Sequence, residues 1–146
     1  MDLLSYEYFM RQAFAEAQHA AEEGEVPVGA VIVSGGRVIA RAHNQTERLT
    51  DPTAHAEMIA ITSATGYLGA KYLADCSLYV TVEPCVMCAG AIAWAQLGTL
   101  IYGTTDEKRG FTRFAPNALH PKTEVRTRIM ENECAAIMKS FFLNKR

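Results

Sequence analysis

Leu78-Tyr79-Val80-Thr81-Val82-Glu83-Pro84-Cys85-Val86-Met87-Cys88 passes from a strand pattern into a helix start without a break. Leu78 to Val82 is apolar and rich in β-branched residues, which predicts a buried strand. Proline is tolerated in the first turn of a helix, where its missing N–H costs nothing. Pro84 therefore opens a helix predicted from Cys85 to about Ala95. Cys85 and Cys88 stand three apart at its start, so both thiols lie on one face and can share one ion.

The flanking segments supply the remaining layers. Upstream, Thr53 is a candidate N-cap for a helix to about Thr65, with Gly66 ending it. That cap puts His55 in the first turn, projecting past the helix end, where His55 and Glu57 can converge. Two helix N-termini then meet, and their positive ends favour the thiolate forms of Cys85 and Cys88. Ser5 to Glu23 reads as an amphipathic helix, with Phe9, Ala13, Ala17 and Ala20 at helical spacing and Gly24 as its stop. Val28 to Val33 and Arg37 to Ala42 are strand candidates joined by Ser34-Gly35-Gly36, a hairpin signal. Asn44 to Asp51 is a polar loop.

Downstream, Thr99 to Gly103 is a short strand, and Thr104 to Pro121 has no clear period. Glu124 to Ile129 alternates like a strand. Asn132 or a neighbour caps a last helix, with Cys134, Ile137, Met138, Phe141 and Phe142 towards the core. Strands alternating with helices predict an α/β layered domain, with an antiparallel hairpin first and helix-joined, parallel-capable strands after it.

The chain has 146 residues, 49% of them hydrophobic, which suits a single domain over residues 1–146 with a proper core. The N-terminal residues lack the basic and apolar regions of a signal peptide. The longest apolar run, Cys85 to Ala95, is too short for a bilayer, so a cytoplasmic protein is expected. Four cysteines in such a chain do not form a disulfide framework. The C-x-x-C pair is metal-binding or redox-active, and Cys76 and Cys134 read as core thiols. A net charge of −2 excludes a surface that grips nucleic acid all over. Local basic patches remain: Lys108, Arg109 and Arg113; Lys139, Lys145 and Arg146; and Arg126 with Arg128 on one strand face. Each is either a solvated surface or an RNA contact.

One His nitrogen and two Cys sulfurs are ligands that zinc prefers, and three protein ligands leave the fourth tetrahedral position open, as in a catalytic site. Two thiolates cancel the formal charge of the ion, so it polarises water weakly. Glu57 makes up the difference by taking the water's proton and later protonating the leaving group. Activated water attacking an amino-bearing ring carbon, with ammonia leaving, fits this equipment. A redox C-x-x-C would leave His55-Ala56-Glu57 without a job. A closed structural zinc would need His43, His120, Cys76 or Cys134 as fourth ligand. A binding module with a dead site conflicts with the presence of Glu57.

The H-x-E and P-C-x-x-C pattern resembles that of the zinc-dependent nucleobase deaminases, and its assignment rests on that known signature. Gly24-Glu25-Val26-Pro27-Val28-Gly29-Ala30-Val31, Asp51-Pro52-Thr53-Ala54-His55-Ala56-Glu57 and Leu78 to Ala91 look like bacterial tRNA-specific adenosine deaminases. The resemblance covers most of the chain. It implies a three-layer, cytidine-deaminase-like α/β fold with a five-stranded mixed sheet and helices on both faces. It implies one zinc ion on His55, Cys85 and Cys88, with Glu57 as proton shuttle. It places Asn44 against the base, Val28 in the pocket wall, the backbone at Ala56 and Pro84 against the activated water or base edge, and Asp106 at the sugar. The implied reaction turns adenosine into inosine at the wobble position of a tRNA anticodon, in a homodimer.

Free guanine or cytosine is the alternative substrate class. Gly66-Tyr67-Leu68-Gly69-Ala70 and Ala93-Trp94-Ala95 look somewhat like guanine deaminases. Glu25 to Gly29, Cys85 to Gly90, the set Asp106, Lys108 and Gly110, and the pair Phe141-Phe142 look more like the tRNA enzymes. The sequence departs from that family at Phe111-Thr112-Arg113-Phe114, where small residues are expected, and at Gln45, where Arg is common. Phe111 and Phe114, interleaved with Arg109 and Arg113, either stack on unpaired bases or serve the core or a dimer interface. Trp94 is likewise an interface or a core residue.

Overall fold

A computed structural model gives the fold and describes residues 3–144. Five strands form one sheet: β1 (Gly29–Ser34), β2 (Arg37–His43), β3 (Cys76–Val82), β4 (Thr99–Thr104) and β5 (Glu124–Arg126). Their spatial order is β2-β1-β3-β4-β5. β1 pairs antiparallel with both β2 and β3, while β3–β4 and β4–β5 are parallel. The β1–β2 hairpin closes with Ser34 opposite Arg37. Gly35 and Gly36, at φ 58° and 77°, are the whole loop. Such a two-residue turn needs positive φ at both positions, which glycine supplies without steric cost.

The apolar runs are continuous because the sheet is covered on both faces. Successive side chains alternate in direction. Ala30, Ile32, Leu78, Val80, Leu100 and Tyr102 face a core completed by Ala56, Ala60 and Ala64 of α2 (Ala56–Leu68) and by Ala89 and Ile92 of α3 (Val86–Ala95). The intervening Val31, Val33, Tyr79 and Ile101 face Phe9, Met10 and Ala13 of α1 (Leu3–Glu22). One turn, α4 (Phe111–Phe114), follows β4, and α5 (Glu131–Asn144) packs against β3 and β4. The result is the three-layer, five-stranded mixed-sheet fold that the sequence implied. Among the described residues no helix is long and apolar enough to cross a membrane.

Several boundaries differ from expectation. Thr53 is not the cap of α2; its N–H and hydroxyl both donate to Asp51 Oδ1, at 2.8 and 2.7 Å. Its side chain is spent on that Asx turn, and the helix starts later, with His55 as N-cap (φ −78°, ψ 152°). Gly66 lies inside α2, which ends at Gly69. Cys85 is itself the N-cap of α3. Strand β5 is three residues long and wholly exposed. It does not reach Arg128, whose φ of 66° breaks the extended backbone, so Arg126 and Arg128 do not share a strand face. In α5, Cys134 is buried but Phe142 is 52% exposed, so Phe142 is not a core residue. Lys145 and Arg146 lie outside the described residues.

Candidate active site

The site forms where α2 and α3 begin. Both helices start beside the ends of the central strands, and each presents its N-cap residue there: His55 for α2 and Cys85 for α3. His55 Nδ1 stands 3.7 Å from Cys85 Sγ and 3.6 Å from Cys88 Sγ. A tetrahedral ion with ordinary Zn–N and Zn–S bonds sets its N and S ligands about 3.6 Å apart. The three atoms therefore have the spacing of ligands around one ion. Among the described residues no fourth His, Cys, Asp or Glu joins this group. His43, His120, Cys76 and Cys134 all stand apart from it, so it is not a closed four-ligand site.

Electrostatics at the group favour a cation. Hydrogen bonding from Cys88, aided by His55, holds the Cys85 thiol down at about 4. The hydrogen bond to that Cys85 thiolate, together with burial and Glu57, pushes Cys88 upward. The two thiols thus share one proton, because a second thiolate beside the first has nothing to offset its charge. A divalent ion between them removes that penalty. The His55 imidazole is raised above its ordinary value, first by its hydrogen bond to Cys85.

Glu57 is 4% exposed and lies in the first turn of α2 beside the thiols. Burial pushes its carboxyl up to about 7. That value is close to where a group must sit to accept and return a proton near neutral pH.

A cleft of about 840 Å³ opens from these residues. Val28, Asn44, Ala56 and Asp106 line it with His55, Glu57 and Cys85. Asn44 is 6% exposed, and its amide reaches Thr46 Oγ1 at 3.5 Å. Pro84 does not line the cleft; its carbonyl accepts the Phe111 N–H at 2.9 Å. Asp106 Oδ1 accepts the backbone N–H groups of Lys108 and Arg109, each at 3.0 Å, leaving its other oxygen for the cleft. Phe111 is a core residue at 3% exposure, which removes it from any stacking surface, whereas Phe114 is 60% exposed. The Arg113 guanidinium lies 5.5 Å from the Phe114 ring centroid. Trp94, at 84% exposed, is not in the core.

Two buried carboxylates escaped the sequence reading. Glu83 accepts the N–H of Asp106 at 3.0 Å, and the N–H and hydroxyl of Thr112 at 3.0 and 2.6 Å. Glu25 accepts the N–H groups of Glu47 and Arg48 at 3.1 and 2.8 Å. Each anchors a loop that walls the cleft. Their only sequence signal is an acid at the edge of an apolar run, Glu25 before Val26 and Glu83 after Val82. The α5 side chains Met138, Lys139 and Phe142 also reach the cleft. They were hidden because helical periodicity does not distinguish a core from a cleft.

Residues 4–146 match the MafB19-like deaminase family. A tRNA-specific adenosine deaminase of Agrobacterium fabrum is 44% identical over 144 residues, covering 95% of either chain. A chloroplastic tRNA(adenine(34)) deaminase of Arabidopsis thaliana is 43% identical over 93% of this chain, which spans only 12% of that longer relative. The solved structure of a tRNA:A34 deaminase, which edits A to I at the wobble position of transfer RNA, superposes with a TM-score of 0.83 at 44% identity. It covers 89% of this chain and 98% of its own. By its fold, its H-x-E and P-C-x-x-C site and these relatives, this chain belongs to the tRNA-specific adenosine deaminase family.

Proposed function

We propose that this protein hydrolytically deaminates adenosine to inosine at the wobble position of a tRNA anticodon, with one zinc ion held by His55, Cys85 and Cys88. The observation that carries the reading is the cleft itself. It runs from the buried Glu57 and the His/Cys group out to Asp106, Lys108, Arg109 and Lys139. A free base would need only the inner end. Lys108, Arg109 and Lys139 on this rim, with Glu107 among them, suit a phosphate backbone beyond the base.

When bound, zinc would supply an activated water as nucleophile. Glu57 takes a proton from that water, returns it to the purine ring nitrogen, and passes a second one to the departing amino group. Atoms balance as adenosine plus water giving inosine plus ammonia. Asn44 holds the base edge, Val28 packs on it, and the backbone at Ala56 steadies the reacting edge; Pro84, outside the cleft lining, takes no part. Asp106 takes the sugar hydroxyl. Unpaired anticodon bases make extrusion of the target cheap.

The outer face of α3 carries Val86 and Trp94, eight residues apart and both exposed. This stripe supports a homodimer in which a second copy covers it. A tRNA substrate also underlies the expected cytoplasmic location.

The test is ammonia release by the zinc-loaded protein. An adenosine-containing anticodon stem-loop is compared with free guanine, cytosine, adenine and cytidine. Release from the stem-loop alone is expected. Release from a free base alone would overturn the substrate reading.

A further inference from the structure

A second cluster of metal-ligating side chains lies outside the cleft, where α1 crosses the end of β2. Glu16 and His19 stand at i and i+3 on α1, on one helix face, and Glu23 follows in the turn just past its end, its N–H still donating to the His19 carbonyl at 3.2 Å. His43, the last residue of β2, meets them. Ligand atoms of Glu16, His19 and His43 all lie within 4.8 Å of one another. We infer that Glu16, His19 and His43 form a second divalent-cation site of the zinc class, with Glu23 orienting both imidazoles.

The distances carry the argument. His43 Nδ1 stands 3.4 Å from Glu16 Oε1. That is long for a charge-assisted hydrogen bond, which runs about 2.7–2.9 Å. It equals the edge of a tetrahedron with metal–ligand bonds of about 2.0–2.1 Å, which comes to about 3.3–3.4 Å. The other nitrogen of the same ring, Nε2, meets Glu23 Oε1 at 2.8 Å, a good hydrogen bond. An imidazole that turns one nitrogen to a metal and donates the other N–H to a carboxylate is the standard support of a metal-binding histidine. His19 Nε2 also faces Glu23, at 3.3 Å from Oε2. The two rings lie 4.5 Å apart, tilted by 35°.

Charge and access agree. The two carboxylates, Glu16 and Glu23, carry the opposite of a divalent charge. The His43 hydrogen bond holds the Glu23 carboxyl below the ordinary carboxylate range, with a smaller contribution from Arg48, whose Nη1 lies 3.4 Å from Glu23 Oε2. The side chain of His43 is 9% exposed and that of His19 is 53% exposed, so the cluster has a buried floor and an open door. Two nitrogens with one oxygen select zinc-like transition ions over calcium or magnesium. A cation here would pin α1 to the residue that precedes Asn44 in the cleft wall.

Cobalt titration tests the site and separates it from the first. The chain is freed of metal and titrated with Co2+, followed by absorbance and by metal count after dialysis. The expected result is two ions per chain. Only one gives a thiolate-to-cobalt charge-transfer band; the other adds ligand-field absorption without it. His19→Ala, at an exposed position of α1, and Glu16→Gln, a near-isosteric change at a partly buried one, should each lose the second ion and keep the thiolate band. Glu22→Gln, on the same helix but outside the cluster, should keep both ions. A single ion in the unaltered chain, two ions persisting in both variants, or equal loss in Glu22→Gln would overturn the inference. Absence of the thiolate band with retention of the other absorption would instead count against the His55, Cys85 and Cys88 assignment alone.

Discussion

The Thr112 hydroxyl donates to the Glu83 carboxylate at 2.6 Å, and that bond ties the end of the central strand to the turn α4. Glu83 immediately precedes Pro84-Cys85, so the acid fixes the approach to α3 while also holding Asp106 and Thr112 by their N–H groups. Gly110 packs so closely that a Cβ there would come within 2.3 Å of the carboxyl carbon. Glu83→Ala strands three donors at once. It should cost about 3 kcal/mol of stability and lower turnover as Cys85 and Asp106 shift. Gly110→Ala should do the same by overpacking, and Thr112→Val should cost less, about 1 kcal/mol. Urea melts and stem-loop turnover check the series. Unchanged midpoints in Glu83→Ala would show the loop is held by other means.

Glu57 is next to the proposed ligands without being one, so its removal should separate binding from chemistry. Glu57→Gln should keep the metal and lose about a thousandfold or more in kcat, within the range of a general acid–base group. Metal content and single-turnover kinetics measured on the same sample decide it. Loss of metal together with activity would mean the carboxylate is a ligand after all.

Most of the fold was legible because its signals are local. The β-branched runs, the two-glycine hairpin and the Pro84 helix start each specify an element from within a few residues. Expectation and structure first part where a side chain has a competing partner. Thr53 looks like a cap, but Asp51 takes its hydroxyl, and the helix starts at the next chance, His55. The strand over Glu124 to Ile129 was cut short because Arg128 and Met130 adopt positive φ, which residue alternation cannot reveal. The His/Cys group was readable from spacing. The anchoring roles of Glu83 and Glu25 were not, since both act on backbone N–H groups more than twenty residues away. Helical spacing points Phe142 towards the core because the cleft beneath α5 leaves no trace in a helical repeat.

The paired thiols predict that metal and fold are linked. Without a cation Cys85 and Cys88 compete for one proton beside a buried carboxyl, and the mouths of α2 and α3 lose their bridge. Chelation should lower the melting temperature by several degrees, and added Zn2+ should restore it. Cys85→Ala should melt low and show no further shift with chelator. A melting temperature indifferent to chelator in the unaltered chain would argue against a metal bridge at these residues.

Trp94 offers the clearest reading of self-association. An indole 84% exposed, on the same helix as exposed Val86, is an expensive thing to leave in water. Trp94→Glu should convert the proposed homodimer to a monomer in sedimentation while leaving the chain folded, since the side chain contributes little to the core. A single species of unchanged mass would move the interface elsewhere, with the exposed Phe114 as the next position to alter.

Asp106 has one observed role and one proposed role, and one substitution separates them. Its Oδ1 caps the turn at Lys108 and Arg109, a role that asparagine keeps because its amide oxygen still accepts. Its other oxygen is free to take a sugar hydroxyl, and there the charge matters: hydrogen bonds to an ionised acceptor are roughly twice as strong as neutral ones. Asp106→Asn should therefore fold normally yet lose part of its preference for a ribose over a deoxyribose stem-loop. A shift of about 1 kcal/mol, or roughly fivefold in relative kcat/KM, is expected. Equal losses on both strands would assign Asp106 to the turn alone and leave discrimination of the 2′-hydroxyl to another group in the cleft.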